Sequence, residues 1–291
     1  MSNPSISPVL GGRGTRRGTR RFRGLLVHLP LWMLALTALF PLALLLINTF
    51  KSDAAIKVNA FTWPDGWHWE NFADAWNSAN YGPAFVNSII VTVSTVTCVC
   101  LFGGMCAYGL TRFAVPGLNV ILIYLFITFS LPGLLYLVPL FILWHKLNLI
   151  DTLQGIILIY VAQQIPFSVM LLRSYFIGLP RELEDAARVD GCGEFGVFQR
   201  VIIPLSWPGF ASVGLIVGVA SWNEFIFAQT FLPTEAMQTV SVRYAAFSGQ
   251  YTQDLAGATA AATIMILPAM ILFLLLQRRF VAGLTAGGVR G

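Results

Sequence analysis

Residues 179–204 read LPRELEDAARVDGCGEFGVFQRVIIP and form the most charged stretch inside an otherwise apolar chain. A first helix is favoured by Pro180 at its first position and by carboxylates that complement the positive end of a helix dipole, namely Glu182, Glu184 and Asp185. Asp190-Gly191 is a helix stop signal. The stretch, called here the charged segment, therefore predicts two short helices around a turn, the second from about Glu194 to Ile202.

One face of the first predicted helix is small and weakly apolar. Spacings of three and four residues bring together Leu183, Ala186, Ala187 and Asp190. Small side chains let another backbone come close, so this face predicts a docking surface for a partner. The alternative interpretation is an ordinary amphipathic loop with no partner.

The pattern resembles the EAA loop of ATP-binding-cassette (ABC) importer permeases, specifically the carbohydrate group related to the maltose permease. The resemblance is carried by Asp185-Ala186-Ala187, Gly191, Val201, Ile203 and Pro204. It departs where Asp185 replaces the typical Glu, Cys192 the common Ala and Ile203 the usual Leu. The resemblance implies that the loop couples to a separate ATPase through Glu182, Glu184, Asp185, Ala186, Ala187, Asp190, Gly191, Phe195 and Pro204.

The composition indicates a polytopic membrane protein. Of the 291 residues, 56% are hydrophobic and only 11% are charged, and the mean hydropathy is +0.73. A soluble domain needs more charge than this to cover its surface. The four cysteines include no C-x-x-C pair, so the sequence predicts neither a disulfide framework nor a metal site.

Six apolar runs reach the length of ~20 residues that crosses a bilayer: Leu25–Asn48, Ala84–Leu110, Leu118–Trp144, Leu153–Leu172, Pro208–Leu232 and Leu255–Leu276. Pro132-Gly133 predicts a kink in the third run, whose second half, from about Tyr136, leans back or lies along the outer interface. The predicted permease domain spans residues 25–277, between a basic tail (1–24) and a C-terminal tail (278–291). It contains an outer segment (51–82), a cytoplasmic coupling loop (178–204) and an outer loop (233–253).

The basic residues predict the orientation. This topology places fourteen of the 18 Lys and Arg residues on one side, leaving only Lys51, Lys57, Lys146 and Arg243 opposite. The chain is therefore predicted to lie in the inner membrane, with both termini and the charged segment on the cytoplasmic side. The first apolar run is too long for a signal peptide. The arginines before it are interpreted as a topogenic and lipid-binding signal rather than a nucleic-acid site.

Polar groups inside the apolar runs are candidates for a translocation pathway. Gln163 and Gln164 precede Pro166 in the fourth run, where a solute path and structural hydrogen bonds between helices are equally open interpretations. Trp222, Asn223 and Glu224 resemble a signature in the fifth span of sugar-importer permeases. A carboxylate at that depth must face water or a partner, so Glu224 indicates either a pathway or a helix-pairing residue.

Aromatic residues crowd the outer segment 51–82. Tryptophans mixed with charge favour a short helix at the membrane interface over a carbohydrate-binding platform. Phe85-x-Asn87-Ser88 and the tail at 277–291 again resemble the carbohydrate permeases. The likeness thus covers nearly all of the chain after residue 25.

Of three classes of function, the sequence favours a transport subunit, which has a cytoplasmic coupling loop and polar groups within its spans. A membrane enzyme is disfavoured because the three histidines lie in different regions and no acidic pair shares a span, so no catalytic residue is predicted. An ion-coupled secondary transporter is disfavoured because the spans contain only one charged residue to which a coupling proton or sodium ion could bind. No Gly-Lys dipeptide exists, so no P-loop binds a cofactor here, and ATP and Mg²⁺ are assigned to a partner.

The resemblance implies an all-α, six-span permease with the MetI-like fold of type I ABC importers. It also implies a heterodimer with a second, homologous permease, two copies of an ATPase and an extracytoplasmic solute-binding protein, with no nucleic acid involved. The solute is expected to be a sugar or a related polyol derivative. A glycerol-phosphate compound is the alternative solute.

Overall fold

The computed structural model describes residues 16–250 and 254–288, with side chains described for residues 28–249, 254–275 and Gln277. Every regular element in this part of the chain is helical, which confirms the all-α class. In chain order the helices are α1 (Arg16–Thr49), α2 (Asp53–Val58), α3 (Glu70–Ser78), α4 (Tyr81–Cys98), α5 (Gly104–Arg112), α6 (Leu118–Ser130), α7 (Leu137–Lys146), α8 (Leu153–Ile177), α9 (Glu182–Val189), α10 (Glu194–Val197), α11 (Ile203–Leu205), α12 (Trp207–Asn223), α13 (Ile226–Phe231), α14 (Val240–Gln250) and α15 (Leu255–Gly288).

Four stretches in the described part are long and apolar enough to cross a membrane. They are His28–Thr49, Tyr81–Arg112, Leu153–Ile177 and Leu255–Leu275. The second runs through α4 and α5 without a break, because a π turn at Val99–Gly103 joins them. Two bent helix pairs raise the number to six if each pair counts as one span.

The first bent pair confirms the predicted kink in the third apolar run. Its two halves, Leu118–Ser130 and Gly133–Lys146, meet at an angle of 92°. Leu131 and Pro132 between them have extended backbone. Proline lacks the N–H that would continue the helix, and it disfavours helical geometry in the residue before it. The second half therefore turns away from the first.

The fifth predicted span, Pro208–Leu232, is wrong in its extent. The helix α12 ends at Asn223, Glu224 adopts an extended conformation (φ −66°, ψ 129°), and a separate short helix, α13, follows. The polar pair Asn223-Glu224 stands at the break, but polar residues alone do not show that the helix ends there. The second bent pair has its bend, of 80°, at the other end of α12, where α12 meets the helix Glu194–Leu205.

The core forms where α12 packs against α4, α8 and α15, and where α5 packs against α8. Close packing at the charged-segment end depends on Gly104. A Cβ there would lie 2.9 Å from the ring of Phe210 and 3.3 Å from that of Phe198. Only glycine lets α5 lie this close to both rings, so α5 sits against α12 and against the helix that contains Phe198.

The predicted outer segment contains two short helices, α2 and α3, rather than one. Trp63, Trp67 and Trp69 are largely exposed, as an interface anchor requires, and this role stays a prediction. In the predicted outer loop 233–253, residues 240–250 form α14, whereas residues 251–253 lie outside the described part. Residues 1–15 and 289–291 of the predicted tails also lie outside it, and the rest of both tails continues α1 and α15.

Candidate functional site

The charged segment folds as the sequence predicts, into two helices around a glycine turn. The first is α9. It ends in a Schellman motif, with Gly191 at φ +86° and with Gly191 N donating to Arg188 O and Cys192 N to Ala187 O, both at 3.0 Å. The second helix runs from Glu194 to Leu205 through a π turn at Phe198–Ile202. Pro204 lacks the N–H of a regular α turn, which fits this widened geometry.

A buried ion pair attaches α9 to the end of α5. Nη2 of Arg112 lies 2.5 Å from Oε1 of Glu184, and the two side chains are only 5% and 1% exposed. Nη2 of Arg112 also donates to the carbonyl of Leu179 at 3.3 Å. Glu184, predicted to contact an ATPase, thus lies inside the chain.

A second, more exposed network centres on Arg188. Its guanidinium donates to Glu194 Oε1 at 2.8 Å and to Asp185 Oδ1 at 2.7 Å. Tyr108 donates to the other oxygen of Glu194 at 2.7 Å. The hydrogen bond to Glu194, above all, raises the pKa of Arg188, with Asp185 adding to it, so Arg188 stays charged. The network joins α9, the second helix and α5.

The predicted docking face divides into an exposed and an internal part. Leu183, Ala186 and Asp190 are exposed, whereas Ala187 is half-buried and packs against the core at this end. The remaining predicted coupling residues at the surface are Glu182, Asp185, Gly191, Phe195 and Pro204. The free surface of α9 is therefore small and carries both apolar and acidic side chains.

The predicted pathway residues separate into two groups. Gln163, Gln164 and Glu224 line one cavity of about 590 Å³ beside the bend of the third span. Trp222 faces elsewhere, because its indole N–H donates to Met265 O on α15 at 3.0 Å. Asn223 is exposed and donates to Val219 O of its own helix at 2.9 Å.

Glu224 caps the helix that follows it. Its carboxylate accepts hydrogen bonds from Phe227 N at 2.9 Å and from Ala228 N at 3.0 Å. The hydroxyl of Tyr160 on α8 donates to it at 2.5 Å. These bonds satisfy the first N–H groups of α13, which would otherwise lack partners in an apolar region. The geometry thus favours the helix-pairing interpretation of Glu224.

The sequence did not predict the side chains that bind the charged segment and Glu224 inside the chain. The sequence indicates Arg112 only as a topogenic charge and gives no signal for Tyr108 or Tyr160. The sequence indicates Asn87 and Ser88 only as part of a motif and as small polar residues for helix packing. In the structure Asn87 donates to Ala236 O and Gln238 O, and Ser88 accepts from Val240 N. A lone arginine directly after an apolar run was the one available pointer to the buried pair.

These features define a class: an all-helical, multi-span membrane protein with an exposed helical segment firmly attached to one end of its bundle. The chain belongs to the family described as binding-protein-dependent transport system inner membrane component, which matches residues 99–286. It is thus a permease subunit of an ABC importer, located in the inner membrane, and not an enzyme.

Relatives of known sequence agree with this assignment. The chain is 37% identical over 265 residues to the probable ABC transporter permease protein YurM of Bacillus subtilis, covering 91% of this chain and 87% of that protein. It is 33% identical over 280 residues to the diacetylchitobiose uptake system permease protein NgcG of Streptomyces coelicolor, covering 96% and 92%. The arabinooligosaccharides transport system permease protein AraQ of Bacillus subtilis is 33% identical over 263 residues, covering 89% and 93%.

A solved structure has the same fold. It is the crystal structure of a bacterial ABC transporter involved in the import of the acidic polysaccharide alginate. One of its chains superposes with a TM-score of 0.77 at 23% identity, covering 92% of this chain and 99% of that chain. This likeness supports the MetI-like fold.

Proposed function

We propose that this chain forms half of the translocation pathway of a sugar importer and pairs with a second, homologous permease. Two copies of a separate ATPase bind ATP and Mg²⁺, and an extracytoplasmic binding protein delivers the solute. The uptake of diacetylchitobiose and arabinooligosaccharides by the relatives supports a sugar as the solute. The excess of Lys and Arg on one side supports cytoplasmic termini and a cytoplasmic charged segment.

The observation that carries this proposal is the exposed face of α9. Three residues of this face are exposed to solvent: Leu183, Ala186 and Asp190. On the opposite face, Glu184 attaches the helix to α5. A short helix that is exposed on one side and anchored on the other is suited to receive a partner protein and pass on its movement.

The solute path in this chain is assigned to the cavity beside the third span. Glu224 already accepts three hydrogen bonds within the chain. We therefore expect solute hydroxyls to contact the amides of Gln163 and Gln164 instead. An amide both donates and accepts, which matches the hydroxyl groups of a sugar.

The test is the substitution Ala186→Trp, assayed in proteoliposomes that contain the permease pair, the ATPase and the binding protein. We expect the complex to assemble but uptake of a labelled oligosaccharide to fall at least tenfold, because the indole blocks close approach to α9. Ala114→Trp makes the same change at an exposed position in the turn after α5 and should leave uptake within twofold. Normal uptake in Ala186→Trp would exclude docking at this face, and uptake of glycerol phosphate in place of the oligosaccharide would exclude the sugar class.

A further inference from the structure

We propose that Arg112 and Glu184 are positioning residues, which make α9 and the end of the second span move as one rigid unit. The proposal rests on the function proposed above and adds the route by which movement leaves the docking helix. The other attachments of α9 are the more exposed network of Arg188, the half-buried side chain of Ala187, the short connection from α8 and the glycine turn after Asp190.

The first argument is the burial of the pair. Both side chains are almost fully withdrawn from water, and a buried charge without its partner is strongly disfavoured. Separating α9 from α5 would leave Arg112 without its carboxylate and Glu184 with only Arg188 of its own helix, whose Nη2 lies 3.6 Å from Oε2. The pair therefore resists separation of the two helices while it allows them to move together.

The second argument is the arrangement along α5. Tyr108 and Arg112 lie one helical turn apart, on the same face. Tyr108 holds Glu194 at the start of the second helix, and Arg112 holds Glu184 on α9. Both helices of the charged segment are thus attached to the same turn of α5.

The third argument is that α5 is closely packed against the helices next to it. Gly104 places α5 against Phe198 of the second helix and Phe210 of α12, without space for even a methyl group. Closely packed interiors transmit displacement instead of absorbing it. Movement of the charged segment is expected to pass through α5 into α4, which continues it to the opposite end.

The experiment uses the charge-reversed variants Arg112→Glu and Glu184→Arg, alone and combined, in the complete complex in proteoliposomes. The readout is the number of solute molecules taken up per ATP hydrolysed, together with the amount of assembled complex. Each single variant should lower this ratio at least fivefold, and the double variant should restore it to within twofold of wild type. Arg173→Glu is the matched control, since Arg173 at the same end donates to the backbone carbonyl of Leu110 instead of a carboxylate, and its ratio should stay within twofold.

Glu184→Gln and Arg112→Gln cover the case in which reversed charges prevent assembly. These variants keep the shape of the side chains closer to the original and should assemble, with a ratio lowered about threefold. A wild-type ratio in the assembled Gln variants, no restoration in the double variant, or failure of the Gln variants to assemble would each overturn the proposal. If the wild-type complex shows no ATP-dependent sugar uptake, the proposed function itself is wrong, which separates the two failures.

Discussion

The two ends of the helix bundle are held together by different chemistry. At the charged-segment end, the contacts join charged side chains of separate helices, with the pair Arg112–Glu184 at their centre. At the opposite end, an ion pair between Arg243 and the exposed Glu235 is present as well, but neutral side chains that bind backbone groups hold the loop. Asn87 donates to Ala236 O at 2.8 Å and to Gln238 O at 3.1 Å, and Ser241 donates to Glu224 O at 2.6 Å.

The difference arises because a helical segment is held at one end and a mostly non-helical connection at the other. The charged segment is helical, so its backbone is satisfied internally and only its position needs fixing. Residues 232–239 connect α13 to α14 with only one short 3-10 turn, so their backbone groups need partners from elsewhere. An ion pair can be reversed by exchanging its two side chains, whereas no second substitution can replace a lost backbone partner.

The largest effect is expected at Glu224, where a carboxylate performs the backbone-binding role. Glu224→Leu leaves the hydroxyl of Tyr160 and two N–H groups of α13 without an acceptor, at a cost of about 4 kcal/mol. Glu224→Gln keeps one acceptor oxygen and should cost about 1 kcal/mol. Thermal unfolding of the purified complex, followed by intrinsic fluorescence, measures both changes. Equal effects of Leu and Gln would contradict the capping role.

An intermediate effect is expected for Asn87→Leu. It keeps a side chain of similar size but removes the donor to two carbonyl groups, which should cost about 2 kcal/mol in the same unfolding measurement. Thr97→Val is the matched control further along the second span, because Thr97 donates only to Val93 O of its own helix and is exposed. Its effect should stay within about 0.5 kcal/mol. Similar losses in both variants would mean that the contacts to residues 236–238 contribute nothing specific.

The smallest effect is expected in the turn of the charged segment. Gly191→Ala and Gly193→Ala add the same methyl group, and neither methyl would have an atom within 4 Å. Gly191 has φ +86°, whereas Gly193 has an ordinary φ of −70°. Only Gly191→Ala is therefore strained, by about 1 kcal/mol, and it should lower uptake per ATP about twofold in proteoliposomes, with Gly193→Ala unchanged. If the two variants behaved alike, the left-handed turn would have no role in coupling.

The sequence by itself determined the membrane class, the kink at Pro132 and the two-helix form of the charged segment. Each of these depends on residues close together in the chain. Apolar length decides whether a helix can span a bilayer, proline removes a backbone donor, and Gly191 accepts a left-handed conformation that other residues avoid. Such preferences act locally, so they are readable without knowledge of the fold.

The tertiary structure alone decided the end of α12 at Asn223 and the inward position of Glu184. Both outcomes depend on a side chain from a distant part of the chain. Tyr160 joins the backbone of α13 in holding the carboxylate of Glu224, and Arg112 neutralises Glu184 where water is excluded. A carboxylate is buried only where a donor or an opposite charge meets it, and packing between helices decides which partner arrives.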